Sequence, residues 1–95
     1  MKGYWLTIYH SISDYAALAE YAKHAGSAIE AAGGRILARG VPSKTYEAGE
    51  PQRVVVIEFD SVEIAEAAYE SDAYRVALAA MMGGVERDFR ILVGV

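Results

Sequence analysis

Ninety-five residues make a single domain, residues 1–95, and at that size a fold buries only roughly 60 to 70% of the surface its unfolded chain exposes. A composition 54% apolar and 23% charged excludes disorder, and the absence of cysteine excludes disulfides, thiolate nucleophiles and sulfur-ligated metal. The net charge of −4, with nine scattered Lys and Arg, gives no footprint for nucleic acid; no apolar run approaches the ~20 residues that cross a bilayer, so the expected setting is the cytoplasm, away from membranes.

Aromatic and β-branched residues from Tyr4 to Tyr9 predict a first strand, and Ser11, Ser13 and Asp14 follow as residues that start helices. Tyr15, Leu18, Ala22, Ala25, Ile29 and Ala32 then recur at steps of three and four and draw one apolar stripe along a helix. Gly33-Gly34 supplies its left-handed end, and Arg35 to Arg39 reads as a second strand. Gly40 to Gln52, with Pro42, Gly49 and Pro51, predicts a loop of about a dozen residues, long enough to act as a lid or a dimer arm. Arg53 to Phe59 is apolar at consecutive positions, which predicts a third strand with both faces out of water. Asp60-Ser61 opens a second helix with Ala65, Ala68 and Tyr69 on one face. Ser71-Asp72 interrupts it, and Tyr74, Ala77, Leu78 and Met81 continue the apolar side to Gly83-Gly84. Phe89 to Val95 reads as the last strand.

The order βαββαβ predicts an α+β, ferredoxin-like fold: a four-stranded antiparallel sheet in the order 4-1-3-2 with both helices on one face. Alternation sorts the strand residues into two sets. Tyr4, Leu6, Ile8, Ile36, Ala38, Val55, Ile57, Phe59, Ile91 and Val93 are almost wholly apolar and are assigned to the helix side. Trp5, Thr7, Tyr9, Arg35, Leu37, Arg39, Val54, Val56, Glu58, Arg90 and Leu92 form a mixed set, left as the bare face. Exposing Trp5, Leu37, Val54, Val56 and Leu92 would forgo on the order of 10 kcal/mol together, enough to drive dimerisation. The expected partner is therefore a second copy of the chain, sheet against sheet.

Gly33-Gly34-Arg35 with Leu37-Ala38-Arg39-Gly40, the strand Arg53 to Phe59, then Ser61, Ala68-Tyr69, Ser71 and Tyr74, together with the Lys2-Gly3-Tyr4-Trp5 start and Tyr21, resemble the domain of unknown function 1330 family. The resemblance runs nearly end to end. It implies the fold of the dimeric α/β-barrel superfamily, whose ferredoxin-like protomers pack sheet against sheet. Relatives in that superfamily range from cofactor-independent oxygenases to isomerases and haem proteins, so it implies no particular chemistry. Val41 replaces a usual second Gly, Leu18 a usual Tyr and Asp72 a usual Pro, and Met81-Met82 stand near where a basic residue is common.

Two clusters are candidates for chemistry. Trp5, Arg35 and Glu58 are expected together, either as a half-buried carboxylate able to bind a polar ligand or move a proton, or as a salt bridge that satisfies a trapped charge. Thr7, Tyr9, His10, Arg39 and Arg53, beneath the loop carrying Tyr46 and Glu47, form the expected pocket mouth, where paired arginines suit a carboxylate or enolate and equally suit a solvated strand end. No metal site and no cofactor are expected, and the glycine pairs lack phosphate-loop spacing.

Three readings stay open. The first is a homodimer that binds a small, partly apolar molecule between its sheets; the second is a cofactor-independent oxygenase or isomerase using the same cavity; the third is a purely structural dimerisation module. A cavity of a few hundred cubic ångström would separate the first two from the third.

Overall fold

The computed structural model describes all 95 residues and arranges them as β1 (Gly3–Ile12), α1 (Tyr15–Ala31), β2 (Arg35–Gly40), β3 (Val54–Phe59), α2 (Val62–Tyr69), α3 (Asp72–Met81) and β4 (Val85–Val93). The strands form one sheet in the order β2-β3-β1-β4, every neighbour antiparallel, which is the expected 4-1-3-2 counted from the other edge. Each helix begins where a side-chain oxygen meets free amides: Asp14 accepts from the Ala17 amide, Ser61 from Ile64 and Ser71 from Tyr74. Gly33 and Gly83 hold φ at 79° and 82°, the left-handed conformation that ends α1 and α3 without a Cβ clash.

Two strands run further than their hydropathy suggests. β1 continues past Tyr9 through a bulge to Ile12, with Ser11 opposite Glu86 and Ile12 opposite Val85. β4 accordingly starts at Val85, ahead of the expected Phe89, and this sets Arg87 directly opposite Tyr9. Polar residues in both segments hide the pairing from a reading based on apolar runs.

The face assignment of β1 is reversed in the structure. Trp5 pairs with Ile57 and Thr7 with Val55, so Trp5, Thr7 and Tyr9 share the helix-covered face with Val55, Ile57 and Phe59, while Tyr4, Leu6 and Ile8 look outward. Nearly every residue from Tyr4 to Tyr9 is apolar or aromatic, so hydropathy cannot fix the parity, but Gly3 does. It faces the start of α2, where a Cβ would lie 2.5 Å from the Ser61 carbonyl oxygen, a position only glycine can take. A second slip occurs in β2, where a bulge between Ile36 and Ala38 moves Ala38 to the open face and Arg39 to the helix side.

Trp5 is consequently the hub of the core, not an interface residue. Its ring packs against Phe59 and Tyr74 at centroid distances of 4.9 Å and against Phe89 at 5.0 Å, and its indole N–H donates to the Ala65 carbonyl at 2.8 Å. The helices lie only on this side, and the molecule is a slab of 32 × 30 × 15 Å. The other side of the sheet presents Leu6, Ile8, Val54 and Val56, half-buried only by their neighbours in the sheet, and Leu92, which is exposed.

Candidate functional site

Small residues on one face of α1 leave a hollow. Ala22, Ala25 and Gly26 carry little or nothing beyond Cβ, so between α1 and the sheet there remains a cavity of about 90 Å³. Trp5, Thr7, Tyr9, Val55 and Ile57 form its floor; Tyr21 and Ile29 complete the α1 wall; Ile36, Arg39, Arg53 and Arg87 close it at the sheet. It lies within one protomer, under α1, and not on the open sheet face, because the side chains expected to build an intersheet site point toward the helices. Its volume also falls short of the few hundred cubic ångström expected of a pocket for a drug-sized ligand. By volume alone, then, this hollow does not set a binder or an enzyme apart from a structural module.

The cavity's charge is one-sided. Three arginines line it and no Asp, Glu or His does. The ion pairs that arginines make in this chain belong to Arg35 and Arg90, which leaves Arg39, Arg53 and Arg87 without a carboxylate. Aromatic faces offset part of the repulsion: the Arg53 and Arg87 guanidinium carbons lie 5.8 and 5.9 Å from the Tyr9 ring centroid, and Arg87 lies 4.9 Å from that of Tyr21. The Arg53 Nε is buried and has no hydrogen-bond partner. Leaving a buried donor unmade costs about 1–3 kcal/mol, more for a charged group, and this atom is closed off even to water, so the cost falls on the protein itself.

Arg87 anchors the inner wall. Its guanidinium donates to the Tyr21 hydroxyl at 3.1 Å and to the Tyr74 hydroxyl at 2.8 Å, and the two phenol oxygens are 2.6 Å apart. Burial, and then the neighbouring Tyr21, push the Tyr74 pKa well above the usual phenol range, so Tyr74 is neutral at physiological pH.

The structure thus brings Trp5, Thr7, Tyr9, Arg39 and Arg53 together, the expected mouth joined by an expected interface residue. It does not bring in the others. Glu58 faces the open side, where the Tyr4 hydroxyl donates to it at 2.9 Å and Arg35 Nε at 3.1 Å; Arg35 also donates to Asp60 at 3.1 Å, and Lys2 reaches Asp60 at 3.2 Å. The expected cluster of Trp5, Arg35 and Glu58 does not form, since Trp5 lies on the opposite face. Hydrogen bonds from Tyr4 and Arg35 lower the Glu58 pKa, and those from Lys2 and Arg35 lower that of Asp60, which is how a surface ion network behaves. His10 is exposed, 3.9 Å from Glu50, in an open groove lined also by Pro51, Gln52 and Glu86. Tyr46 is exposed on the loop after β2 and is not part of the lining.

Sequence reasoning gave no role to Tyr21 or Arg87. The Ala22, Ala25 and Gly26 run after Tyr21 was the available signal, since a helix face stripped of bulk leaves space above a sheet. Arg87 is out of the sequence's reach, because the last apolar run begins only at Phe89.

The family described as Domain of unknown function (DUF1330) matches residues 2–95. A comparison with the curated proteins finds no match. Among solved structures, a protein of unknown function from Rhodopseudomonas palustris superposes with a TM-score of 0.73 at 17% identity, covering 99% of this chain and 82% of that one. SnoaB, a cofactor-independent oxygenase from Streptomyces nogalater solved as a variant, gives 0.66 at 6% identity over 98% of this chain and 92% of its own. A NIPSNAP family protein from Agrobacterium tumefaciens gives 0.58 at 14% identity over 99% and 86%. At these identities the likeness concerns the fold. No helix of this chain is long and apolar enough to cross a membrane.

Proposed function

We propose that this chain, which belongs to the DUF1330 family, binds a small organic anion in the cavity between α1 and the sheet. One observation carries the reading: Arg39, Arg53 and Arg87 line a partly apolar hollow that contains no acidic side chain. A carboxylate suits that lining, because its two oxygens accept from a guanidinium fork while its hydrocarbon part lies against Val55, Ile57 and Ile29. Calorimetric titration with acetate, propionate and butyrate, beside their neutral amides, tests this. The acids bind with a salt-weakened affinity that the Arg39→Gln/Arg53→Gln variant loses. Equal heats from acid and amide, or none from either, contradict it.

The proposal includes a homodimer formed through the open sheet face. A folded chain of 10.3 kDa is expected to expose roughly 5,400 Å², whereas this protomer exposes 6008 Å². The excess goes with a two-layer slab only 15 Å thick, whose sheet is covered on one side. A second copy covers Leu6, Ile8, Val54 and Val56 with the same residues.

A second reading, turnover in the same cavity, draws on the fold shared with SnoaB and on the buried phenol pair. With no carboxylate or imidazole in the lining, an enzyme here would have to receive its substrate already ionised. Release of altered product from a bound acid would favour that reading; recovery of the acid unchanged favours binding.

A further inference from the structure

We infer that the occupant is a short-chain 2-oxo or 2-hydroxy monocarboxylate, held at its carboxylate by Arg39 and Arg53 and at its 2-oxygen by the Tyr21 hydroxyl. The inference rests on the anion-binding reading above and narrows it. It follows from counting protons. Each neutral phenol has one O–H to give. Arg87 already donates to both phenol oxygens, and the 2.6 Å bond between Tyr21 and Tyr74 uses one of the two phenol protons.

The other proton needs an acceptor, and the surroundings decide which tyrosine holds it. Tyr74 is 0% exposed, enclosed by the rings of Trp5, Tyr69 and Tyr21, and its hydroxyl meets only Tyr21 and Arg87. If Tyr21 donated to Tyr74, the Tyr74 proton would be buried with nothing to accept it. If Tyr74 donates to Tyr21, the spare proton belongs to Tyr21, and Tyr21 lines the cavity while Tyr74 does not. Donation from Arg87 and Tyr74 into the Tyr21 oxygen polarises that O–H and strengthens it as a donor.

The cavity therefore offers two kinds of donor: charged forks at Arg39 and Arg53, and neutral hydroxyls at Thr7, Tyr9 and Tyr21, of which only the Tyr21 oxygen already accepts from Arg87 and Tyr74 and so is the strongest donor. A plain fatty acid satisfies only the first. A second anionic group would have to be met by a neutral phenol, with Arg87 already engaged by the two tyrosines, so an uncharged oxygen is the better match. The small volume, about 90 Å³, favours a short acid and so places that oxygen beside the carboxylate.

Calorimetric titration of the intact protein with pyruvate, lactate and propionate, repeated on Tyr21→Phe and Tyr74→Phe, tests this. The wild type should bind pyruvate and lactate about tenfold more tightly than propionate, the worth of one hydrogen bond. Tyr21→Phe should bring that ratio close to one while propionate still binds, and Tyr74→Phe, which keeps the Tyr21 proton but removes one of the two donations that polarise it, should lower the ratio only in part. No preference in the wild type, or an undiminished preference in Tyr21→Phe, overturns the inference while leaving anion binding in place. Failure of all three acids to bind overturns both. Should Tyr21→Phe not fold, the wild-type preference decides alone.

Discussion

The phenolic oxygens of Tyr21 and Tyr74 lie 2.6 Å apart and share one donor, Arg87, at 3.1 and 2.8 Å. Positions on α1, α3 and β4 are thereby closed into one hydrogen-bonded triangle, so the cavity wall and the core share a support. Arg87→Met should cost about 1–3 kcal/mol, because it strips a charged donor from two phenols and leaves Tyr74 short of partners. Urea unfolding followed by tryptophan fluorescence would show a lower midpoint with an unchanged slope. An unchanged midpoint would mean the triangle contributes nothing to the fold.

Arg53 should behave in the opposite sense. Its buried Nε has no hydrogen-bond partner, so Arg53→Leu removes an unmet donor while keeping an apolar stem. The unliganded variant should gain about 1 kcal/mol, and its affinity for propionate should fall at least about tenfold. Thermal melts with and without propionate measure both quantities. A variant that is destabilised and binds normally would show Arg53 to be a structural residue.

Opposite faces of β1 should respond differently. Trp5→Ala empties the centre of the aromatic core and should cost about 3–5 kcal/mol. Leu6→Lys, on the open face, should leave the protomer folded and shift a dimer to monomer in sedimentation velocity, because a lysine cannot be buried unpaired between two sheets. A native-like wild-type monomer at micromolar concentration would remove the dimer from the account.

Acid should loosen the open-face network. Folded Glu58 and Asp60 titrate below their ordinary values of 4.5 and 3.8, so the folded state holds fewer protons there than the unfolded chain. Their contribution is therefore complete above the ordinary values and is lost as pH falls through the lowered ones. Stability should be level from neutral pH to about pH 5 and decline below about pH 4, less steeply in Glu58→Gln and at high salt, which screens exposed pairs. Urea midpoints measured across that range check the sign; a midpoint that rises on acidification would contradict it.

Element order and all three caps were legible in the sequence because they depend on local chemistry, Asp14, Ser61 and Ser71 starting helices and Gly33 and Gly83 stopping them, and sheet order followed from the crossovers of a βαββαβ chain. The side of the sheet on which Trp5 lies was not legible. In a strand where almost every residue is apolar, parity is set by one close backbone approach, that of Gly3 to Ser61, which exists only in three dimensions. The same limit moved the candidate cavity. Arg39 and Arg53 were recognised as a pair, but their position under α1 depends on the β2 bulge and on the β1 register. Arg35 and Glu58 were recognised as partners, and the structure retains that ion pair on the open face, away from Trp5.

Chemical-shift mapping on isotope-labelled protein titrated with propionate tests the anion-binding cavity most directly. Signals of Thr7, Tyr9, Val55 and the Trp5 indole should move and saturate together, while those of Leu6, Val54 and Val56 stay in place. Shifts confined to the open face, or none at all, would contradict it.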